Sequence, residues 1–351
     1  MITTRRIQDR VREYYGRILK NHRELKTSAC CSGNGLVPRL QRILEEIEPE
    51  IREKHYGCGS PIPNAIEGCT VLDLGCGTGR DTYLVSGLVG PAGRVIGVDM
   101  TEEQLAVARK FLPAQMKRFG FDRPNVDFRH GVIEDLESVG IADESVDVVI
   151  SNCVINLSPD KPRVFSEILR ALKPGGEMYI ADVFCDRRLP TELMNDQTLV
   201  GECLAGAMYI EDFRRLLAGL GGPDYRVMAR NPIILDDAEI EAKLGLAQFF
   251  SVTFRAFKLP TLEDRCEDYG QIAEYLGTIP DEPHSFRLDD HHLFETGRPV
   301  PVCGNTASML SETRLAPHFR VTGNRRRHFG LFPCSPTTAP TTKSTSGTSC
   351  C

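Results

Sequence analysis

The pattern of apolar and polar residues changes character near residue 70. Before that point, apolar residues recur at helical spacing over 7–19 and 40–51, which predicts two amphipathic helices. After it, short apolar runs alternate with helical segments, a pattern typical of a mainly parallel, doubly wound α/β sheet. The predicted strands are 70–74, 94–99, 126–130, 146–151 and 177–183.

The helices predicted between and after these strands complete an alternating βα order. They begin at about residue 80 and then cover 102–117, 161–172, 192–204 and 210–220. Pro174-Gly-Gly176 predicts a tight turn into the last of the five strands.

A chain of 351 residues can hold one large core and a smaller second unit. We expect N-terminal helices with thiol-bearing loops over 1–68, the main α/β core over 69–225, and a smaller α+β domain over 226–334. The stretch 335–351, rich in Ser, Thr and Pro and ending in two cysteines, cannot bury a core and is expected to be a disordered tail.

Composition and charge narrow the class of protein. The 41% hydrophobic and 26% charged residues are ordinary for a globular enzyme, and a net charge of −6 gives no reason to expect a nucleic-acid partner. Because no signal core or membrane-length apolar stretch is present, we expect a cytoplasmic protein without a membrane partner. The 13 cysteines then indicate reduced thiols held for chemistry rather than a disulfide framework.

A glycine loop marks a nucleotide site. Val71-Leu-Asp-Leu-Gly-Cys-Gly-Thr-Gly79 is a strand that runs into a loop at the start of a helix, and Asp99 ends the next strand. A backbone without side chains can approach a ligand closely, and a carboxylate about 20 residues on can bind both ribose hydroxyls. A dinucleotide fingerprint needs glycine where Arg80 stands, so that interpretation fails.

The loop instead resembles motif I of class I S-adenosylmethionine-dependent methyltransferases, which implies their Rossmann-like fold. The resemblance places Asp99 on the ribose and Met100 against the adenine, with Glu134 or Asp135 at the adenine amine. The cofactor-binding residues that it implies are Asp73, Gly75, Gly77, Thr78, Gly79, Asp99, Met100, Glu134 and Asn152. The alternative for Asp73 and Asp99 is that they only end a loop or cap a helix, without a ligand. Cys76 is expected to be a small packed residue rather than a ligand.

Several cysteines fall where a substrate could meet that cofactor. Cys153 follows the fourth strand, Cys203 lies after the fifth, and Cys58 lies in an N-terminal loop. Taken one at a time, each of these cysteines is more often a small buried hydrophobic residue than a ligand. Together the segments Tyr14-Tyr-Gly16, Tyr56-Gly-Cys-Gly59, 151–157, 201–206 and 251–258 are similar to the arsenite S-adenosylmethionine methyltransferases, over about 6–310.

That resemblance implies a role for each thiol. Cys58, Cys153 and Cys203 correspond to the thiolates that hold trivalent arsenic, and Cys31 corresponds to a fourth cysteine needed for the first methylation, with the adjacent Cys30 left as an alternative. Trivalent arsenic is soft and thiophilic, and its lone pair can attack the donor's methyl group without a general base. The transfer oxidises arsenic, and closing a Cys31–Cys58 disulfide would return it to the trivalent state. Thioredoxin or glutathione would then reopen that disulfide.

The expected function is therefore methylation of arsenite, or of its thiol conjugates, to mono- and dimethylated arsenicals for detoxification, by a monomer. Whether a trimethylated product forms is left open. Two alternatives remain. One is a methyltransferase of a small organic acceptor such as a quinone or sterol, which would leave the three cysteines without a role. The other is a non-catalytic protein that sequesters arsenic or antimony, which would not need the intact glycine loop.

Overall fold

The computed structural model, which describes residues 4–15, 38–55 and 57–333, is built around one eight-stranded sheet. Its strands are β1 Thr70–Leu74, β2 Arg94–Asp99, β3 Val126–His130, β4 Val146–Asn152, β5 Leu172–Cys185, β6 Met208–Tyr209, β7 Tyr225–Ile233 and β8 Phe249–Phe257. The strand order is β3-β2-β1-β4-β5-β8-β7, and the short β6 pairs with β5.

Strands β1 to β5 pair in parallel, whereas β7 and β8 join the sheet antiparallel. Residues on both faces of strands such as β1 and β4 are buried, which explains their nearly continuous apolar sequence. The strand order reverses between β1 and β4, so the connections from their carboxyl ends turn to opposite sides and leave a crevice. The prediction of a doubly wound α/β sheet is confirmed.

Helices cover both faces of this sheet. They are α1 Thr4–Glu13, α2 Pro38–Glu46, α3 Pro49–Glu53, α4 Arg80–Val89, α5 Glu102–Arg118, α6 Lys161–Ala171, α7 Gln197–Gly201, α8 Ile210–Gly219, α9 Ala238–Leu244 and α10 Gly304–Ser311. Two large apolar clusters pack between helices and sheet, one around Leu72 and Phe165 and the other around Val71 and Tyr83. No helix in the described ranges is long and apolar enough to cross a bilayer.

Three local predictions were wrong. The helix expected over 40–51 is divided into α2 and α3, because Pro49 forces the preceding Glu48 into an extended conformation with ψ 134°. The helix expected over 192–204 is a 3₁₀ turn followed by α7, whose first N–H groups are capped by Asp196. Pro174-Gly-Gly176 lies within β5, where the Gly175 N–H donates to the Lys258 carbonyl over 2.8 Å.

Short strands and one helix form the remaining part of the chain. They are β9 Glu267–Asp268 with β15 Gly330–Leu331, β11 Ser285–Arg287 with β12 Leu293–Glu295, and β10 Gln271–Tyr275 between β13 Pro299–Val302 and β14 Phe319–Thr322. These strands and α10 enclose their own apolar cluster. The large sheet continues through β7 and β8, past residue 225, at which the predicted core domain ends. The four domain bounds remain predictions. The expected tail 335–351 lies outside the described residues.

Candidate active site

A cleft with about 960 Å³ of empty space, the open mouth included, lies at the carboxyl ends of β1, β2 and β4, where the strand order reverses. Most of the residues predicted to bind the cofactor line it: Asp73, Gly75, Gly77, Thr78, Asp99, Met100, Glu134 and Asn152. The remaining one, Gly79, precedes α4 with φ 90°. Residues that are up to 79 positions apart in the sequence, from Asp73 to Asn152, therefore lie at one crevice.

The glycines of the loop differ in what surrounds them. Gly75 and Gly77 have φ of 69° and 53°, in the left-handed region that favours glycine. A Cβ on Gly75 would lie 2.4 Å from both methyl groups of Val154, whereas a Cβ on Gly77 would lie 3.9 Å from its nearest neighbour, Gln104 Oε1. Gly75 thus permits the loop to pack against the rim of β4, and Gly77 leaves space for a ligand.

Alanine at these two positions is expected to separate stability from ligand binding. Both substitutions place an L residue at positive φ, at about 1–2 kcal/mol each. Gly75→Ala also collides with Val154, which adds about 1–3 kcal/mol of overpacking. We expect Gly75→Ala to lose more stability in urea unfolding, and Gly77→Ala to lose mainly S-adenosylmethionine binding in equilibrium dialysis. Equal losses of stability in the two variants would contradict this.

Two carboxyls, the buried Asp73 and the partly buried Asp99, face the loop. Asp99 accepts hydrogen bonds from the Gly77 N–H at 2.9 Å and the Thr101 N–H at 2.7 Å, and Asp73 accepts one from the Thr82 hydroxyl at 2.6 Å. Burial, together with the charges of Asp81 and Asp99, raises the pKa of Asp73 to about 8 against the Thr82 hydrogen bonds. Burial also raises the pKa of Asp99. The cleft thus disfavours negative charge, and a cationic ligand would stabilise the carboxylates.

Replacing Asp73 by asparagine is expected to stabilise the ligand-free protein above neutral pH. The pKa of Asp73 is about 8 in the folded chain and about 3.9 in an unfolded one. The stability that the neutral carboxyl contributes is complete below pH ~4 and is lost as the pH rises to ~8. Asp73→Asn keeps that position neutral, so thermal unfolding should show a gain that is larger at pH 8 than at pH 5.

The matched control is Asp236→Asn, a change of the same kind at an exposed position. It should move the unfolding temperature equally little at both pH values. A gain for Asp73→Asn that does not depend on pH would contradict the buried, neutral Asp73.

Helix α1 covers the cleft, a contact that the periodicity of the sequence could not reveal. Arg12 Nε donates to the Met100 carbonyl at 3.3 Å, and Gln104 Nε2 donates to the Tyr15 carbonyl at 2.9 Å. The Tyr15 hydroxyl donates to the Gly201 carbonyl at 2.7 Å. The side-chain oxygen of the same residue, Gln104 Oε1, is buried and has no hydrogen-bond partner among the residues that the structure describes. The N-terminal segment therefore joins the cleft to the segment that precedes Cys203.

The structure distinguishes the two carboxylates that follow β3. Glu134 lines the cleft and accepts a hydrogen bond from the Ser158 hydroxyl at 2.6 Å. Asp135 does not line it, and accepts a hydrogen bond from the Ser138 N–H at 3.3 Å within a turn. Of the two predicted positions, Glu134 is therefore the one placed to contact a ligand in the cleft.

Three of the predicted thiols lie in one buried apolar cluster beside the cleft: Cys58, Cys153 and Cys203. Cys153 lines the cleft as well, and its carbonyl accepts a hydrogen bond from the Cys203 thiol at 3.4 Å. Cys153 and Cys203 have φ of 55° and 60°, which costs an L residue about 1–2 kcal/mol each. Strain of this kind at two non-glycine residues is a feature of functional sites. Cys31 lies outside the described residues.

Cys58 and Cys153 are joined by a disulfide, with their Cα atoms 5.8 Å apart. This differs from two expectations, that the thiols are reduced and that the partner of Cys58 is Cys31. The pairing has a geometric reason, because a Cα separation of this size is in the range that a disulfide spans. Both sulfurs must therefore be reduced before they can act as ligands.

A carboxylate lies beside these two sulfurs, and an ammonium group interacts with that carboxylate and with Cys203; the sequence pattern indicated neither. An oxygen of Asp182 and the sulfurs of Cys58 and Cys153 are all within 4.8 Å of one another. Burial raises the pKa of Asp182 to about 6, although it accepts N–H bonds from Val183 and Asn156. Burial lowers the pKa of Lys161, against the charges of Asp182 and Cys203. The position of Asp182 near the carboxyl end of β5 was an available signal.

Asn152 connects the cleft to the loop that carries Cys58. Its Oδ1 accepts from the Cys58 N–H at 3.0 Å, and its Nδ2 donates to the Gly59 carbonyl and to Asp81. Asp81 also pairs with Arg80. Burial would raise the pKa of Asp81, but the charges of Arg80 and His55 and the bond from Asn152 hold it below its ordinary value. The arginine that breaks the dinucleotide fingerprint is thus part of this network.

The chain is similar to known methyltransferases. Residues 66–221 match the model of a methyltransferase domain, and residues 270–345 match the model of the arsenite methyltransferase C-terminal domain. The chain is 51% identical to an arsenite methyltransferase of Aquipseudomonas alcaligenes, over 98% of this chain and 100% of that protein. It is 40% identical to the human arsenite methyltransferase, over 90% of this chain and 84% of that protein.

A solved structure shows the same likeness. The crystal structure of an arsenic(III) S-adenosylmethionine methyltransferase from Chlamydomonas reinhardtii matches with a TM-score of 0.82 and 50% identity, over 85% of this chain and 100% of that one. Identity at this level over nearly the whole length settles the family. The chain belongs to the arsenite methyltransferases and is an S-adenosylmethionine-dependent enzyme.

Proposed function

We propose that this enzyme methylates trivalent arsenic while Cys58, Cys153 and Cys203 hold it as thiolates. The observation that carries the proposal is the position of Cys153. It belongs both to the lining of the cleft and to the buried cluster that contains Cys58 and Cys203. Arsenic bound to that sulfur would therefore stand between the cluster and the methyl donor.

The cleft suits S-adenosylmethionine by its donors and acceptors. The open space at Gly77 leaves room for a polar ligand, and Gln104 Oε1, which has no hydrogen-bond partner within the described ranges, offers it an acceptor. Each oxygen of Asp99 accepts a single backbone N–H, which leaves lone pairs for two ribose hydroxyls. We assign Met100 to the adenine face and Glu134 to the adenine amine. When bound, this molecule supplies an electrophilic methyl group on a cationic sulfonium.

We assign the methionine part of the donor to Asp73 and the glycine loop, including Thr78 and Gly79. The Asp73 carboxyl has a pKa of about 8 because it is buried, so a cation in the cleft would draw it into its charged form. Asn152 would lie between the methyl donor and the arsenic-binding cysteines, since it lines the cleft and holds the Cys58 loop by two hydrogen bonds.

The cysteines account for the acceptor chemistry. Arsenite, As(OH)₃, exchanges three hydroxyls for three sulfurs, and each thiol proton leaves with a hydroxyl as water. Soft thiolates suit soft arsenic, and its lone pair remains free to attack the methyl carbon. Arsenic carries no proton, so the attack needs no general base. Further rounds would give dimethylated products, which suits a role in arsenic detoxification.

Each transfer raises arsenic to the pentavalent state, and two thiols can return it to the trivalent state by closing a disulfide. We propose Cys31 and Cys58 for this pair, with Cys30 as the alternative to Cys31. The Cys58–Cys153 disulfide supports the idea that Cys58 is prone to oxidation, though with another partner. Thioredoxin or glutathione would reopen it, which favours a reducing compartment such as the cytoplasm. We expect the enzyme to act as a monomer.

The test is to incubate the protein with arsenite, S-adenosylmethionine and a thiol, and to separate arsenic species by chromatography with elemental detection. Mono- and dimethylated arsenicals are expected. Methyl transfer to a quinone or sterol without methylarsenic would favour an organic acceptor. Tight arsenic binding without any methylated product would favour sequestration. Either result would overturn the proposal.

A further inference from the structure

A second pair of cysteines lies in the C-terminal part of the chain, and neither of them lines the cleft. Cys303 is fully buried and caps α10, where its sulfur accepts the Thr306 N–H at 3.5 Å. Arg226 Nη2 donates to the same sulfur over 3.9 Å, and the Thr306 hydroxyl lies 3.3 Å from it. A backbone N–H, a hydroxyl and a guanidinium thus converge on one sulfur.

The partner of Cys303 is Cys266, which precedes β9 and is partly exposed. Two hydrogen bonds between Glu263 and Asn305, of 2.8 and 2.7 Å, hold the segment that carries Cys266 against the start of α10, beside Cys303. A hydrogen bond from Cys266, the charge of Arg226 and the bonds from Thr306 together outweigh burial and lower the pKa of the Cys303 thiol. Cys303 therefore favours its thiolate form, and Cys266 is the more exposed of the two cysteines.

Thiolates react with trivalent arsenic, and the number of sulfurs in a binding site determines which arsenic compound the site binds best. Arsenite has three exchangeable hydroxyls, a monosubstituted arsenical RAs(OH)₂ has two, and a disubstituted one has a single hydroxyl. Two adjacent sulfurs can replace both hydroxyls of RAs(OH)₂ and leave no oxygen on arsenic. Chelation by two ligands exceeds binding by one by about 10²–10⁴-fold.

We propose that Cys266 and Cys303 form a second arsenic site, which binds monosubstituted trivalent arsenicals. The proposal rests on the proposed function in one respect, because methylation of arsenite is the source of such a ligand. In the binding step two As–O bonds break and two As–S bonds form. The single proton of the pair and one taken from water leave with the two hydroxyls, and arsenic stays trivalent throughout. Cys266 is reached first, and Cys303 then closes the chelate.

Phenylarsine oxide, which has two exchangeable positions, is the probe. The reduced full-length protein is treated with one to three equivalents, digested under mild conditions and analysed by mass spectrometry. We expect a phenylarsenic bridge between the peptides that contain Cys266 and Cys303. Cys266→Ser should abolish that bridge. Cys69→Ser, at another partly exposed cysteine, is the matched control and should retain it.

Absence of the Cys266–Cys303 bridge while other thiols are modified would overturn this inference. Recovery of the two peptides as a disulfide under reducing conditions would overturn it too. Arsenite methylation by the same samples is measured separately, because Cys266→Ser should leave it unchanged. A missing bridge with normal methylation would contradict only the second arsenic site. A bridge without methylation would contradict only the proposed function.

Discussion

Replacing Cys203 by serine is expected to lower methylation of both arsenite and monomethylarsenite by about 10³-fold or more, which corresponds to about 4 kcal/mol of transition-state stabilisation. Serine keeps the size and the hydrogen bond to the Cys153 carbonyl but not the soft sulfur. Without the Cys203 sulfur, arsenite keeps an exchangeable hydroxyl, and monomethylarsenite, which can bind only two sulfurs, has one fewer to choose from. In both cases the arsenic lone pair is no longer held toward the cleft. Cys153→Ser should have the same effect. The measurement is the initial rate with each substrate.

The control for this prediction is Cys185→Ser, because Cys185 is buried in the same apolar cluster and has no ligand role here. It should retain most of the activity. Cys31→Ser should lose the first methylation and keep the second. Equal activity of Cys203→Ser and Cys185→Ser, at equal unfolding temperature, would contradict the role of Cys203 as a ligand.

Replacing Glu177 by glutamine is expected to destabilise the protein by about 3–5 kcal/mol, because it leaves buried guanidinium charge without its counter-ion. Glu177 is fully buried on β5 and forms an ion pair with Arg255 of β8, whose Nε lies 2.5 Å from Oε1. Its second oxygen lies 2.5 Å from Arg314 Nη1, without hydrogen-bond geometry. This cluster ties the large sheet to the segment after α10. Equilibrium unfolding in urea measures the loss.

Glu295→Gln is the matched control, since the Arg298–Glu295 pair is exposed and such pairs contribute about 0–1 kcal/mol. A loss for Glu177→Gln no larger than for Glu295→Gln would show that the buried cluster does not stabilise the fold. Strand β5 also carries Asp182, which lies beside the sulfurs of Cys58 and Cys153. A large loss of stability in Glu177→Gln would therefore also affect the candidate site.

The parts of the fold that the sequence predicted are those set by local pattern. Strands β1, β2 and β3 begin and end where alternation of apolar runs and glycine turns placed them, because a strand buried on both faces has few alternatives. The helices over 40–51 and 192–204 were wrong where one residue, Pro49 or Asp196, ends the hydrogen-bond pattern. The membership of β7 and β8 in the large sheet depends on long-range pairing, which periodicity does not encode.

The candidate site divides in the same way. Asp99 ends β2, and the glycine loop and Cys153 directly follow β1 and β4. The rule that ligands collect at the carboxyl ends of parallel strands was therefore enough to find them. Tyr15, Gln104 and His55 line the cleft only because of tertiary packing, and their spacing in the sequence does not predict this position. The redox state of Cys58 and Cys153 was also beyond the sequence, because it depends on two Cα atoms that come within 5.8 Å from 95 residues apart.

Arsenic K-edge X-ray absorption of the reduced protein with one equivalent of arsenite shows directly which atoms bind arsenic. Arsenic is expected to have three sulfur neighbours and no oxygen neighbour, and Cys203→Ser should replace one sulfur by oxygen. The same measurement on Cys31→Ser should still show three sulfurs. Arsenic with oxygen neighbours in the unsubstituted protein, or three sulfurs that persist in Cys203→Ser, would contradict a site made of Cys58, Cys153 and Cys203.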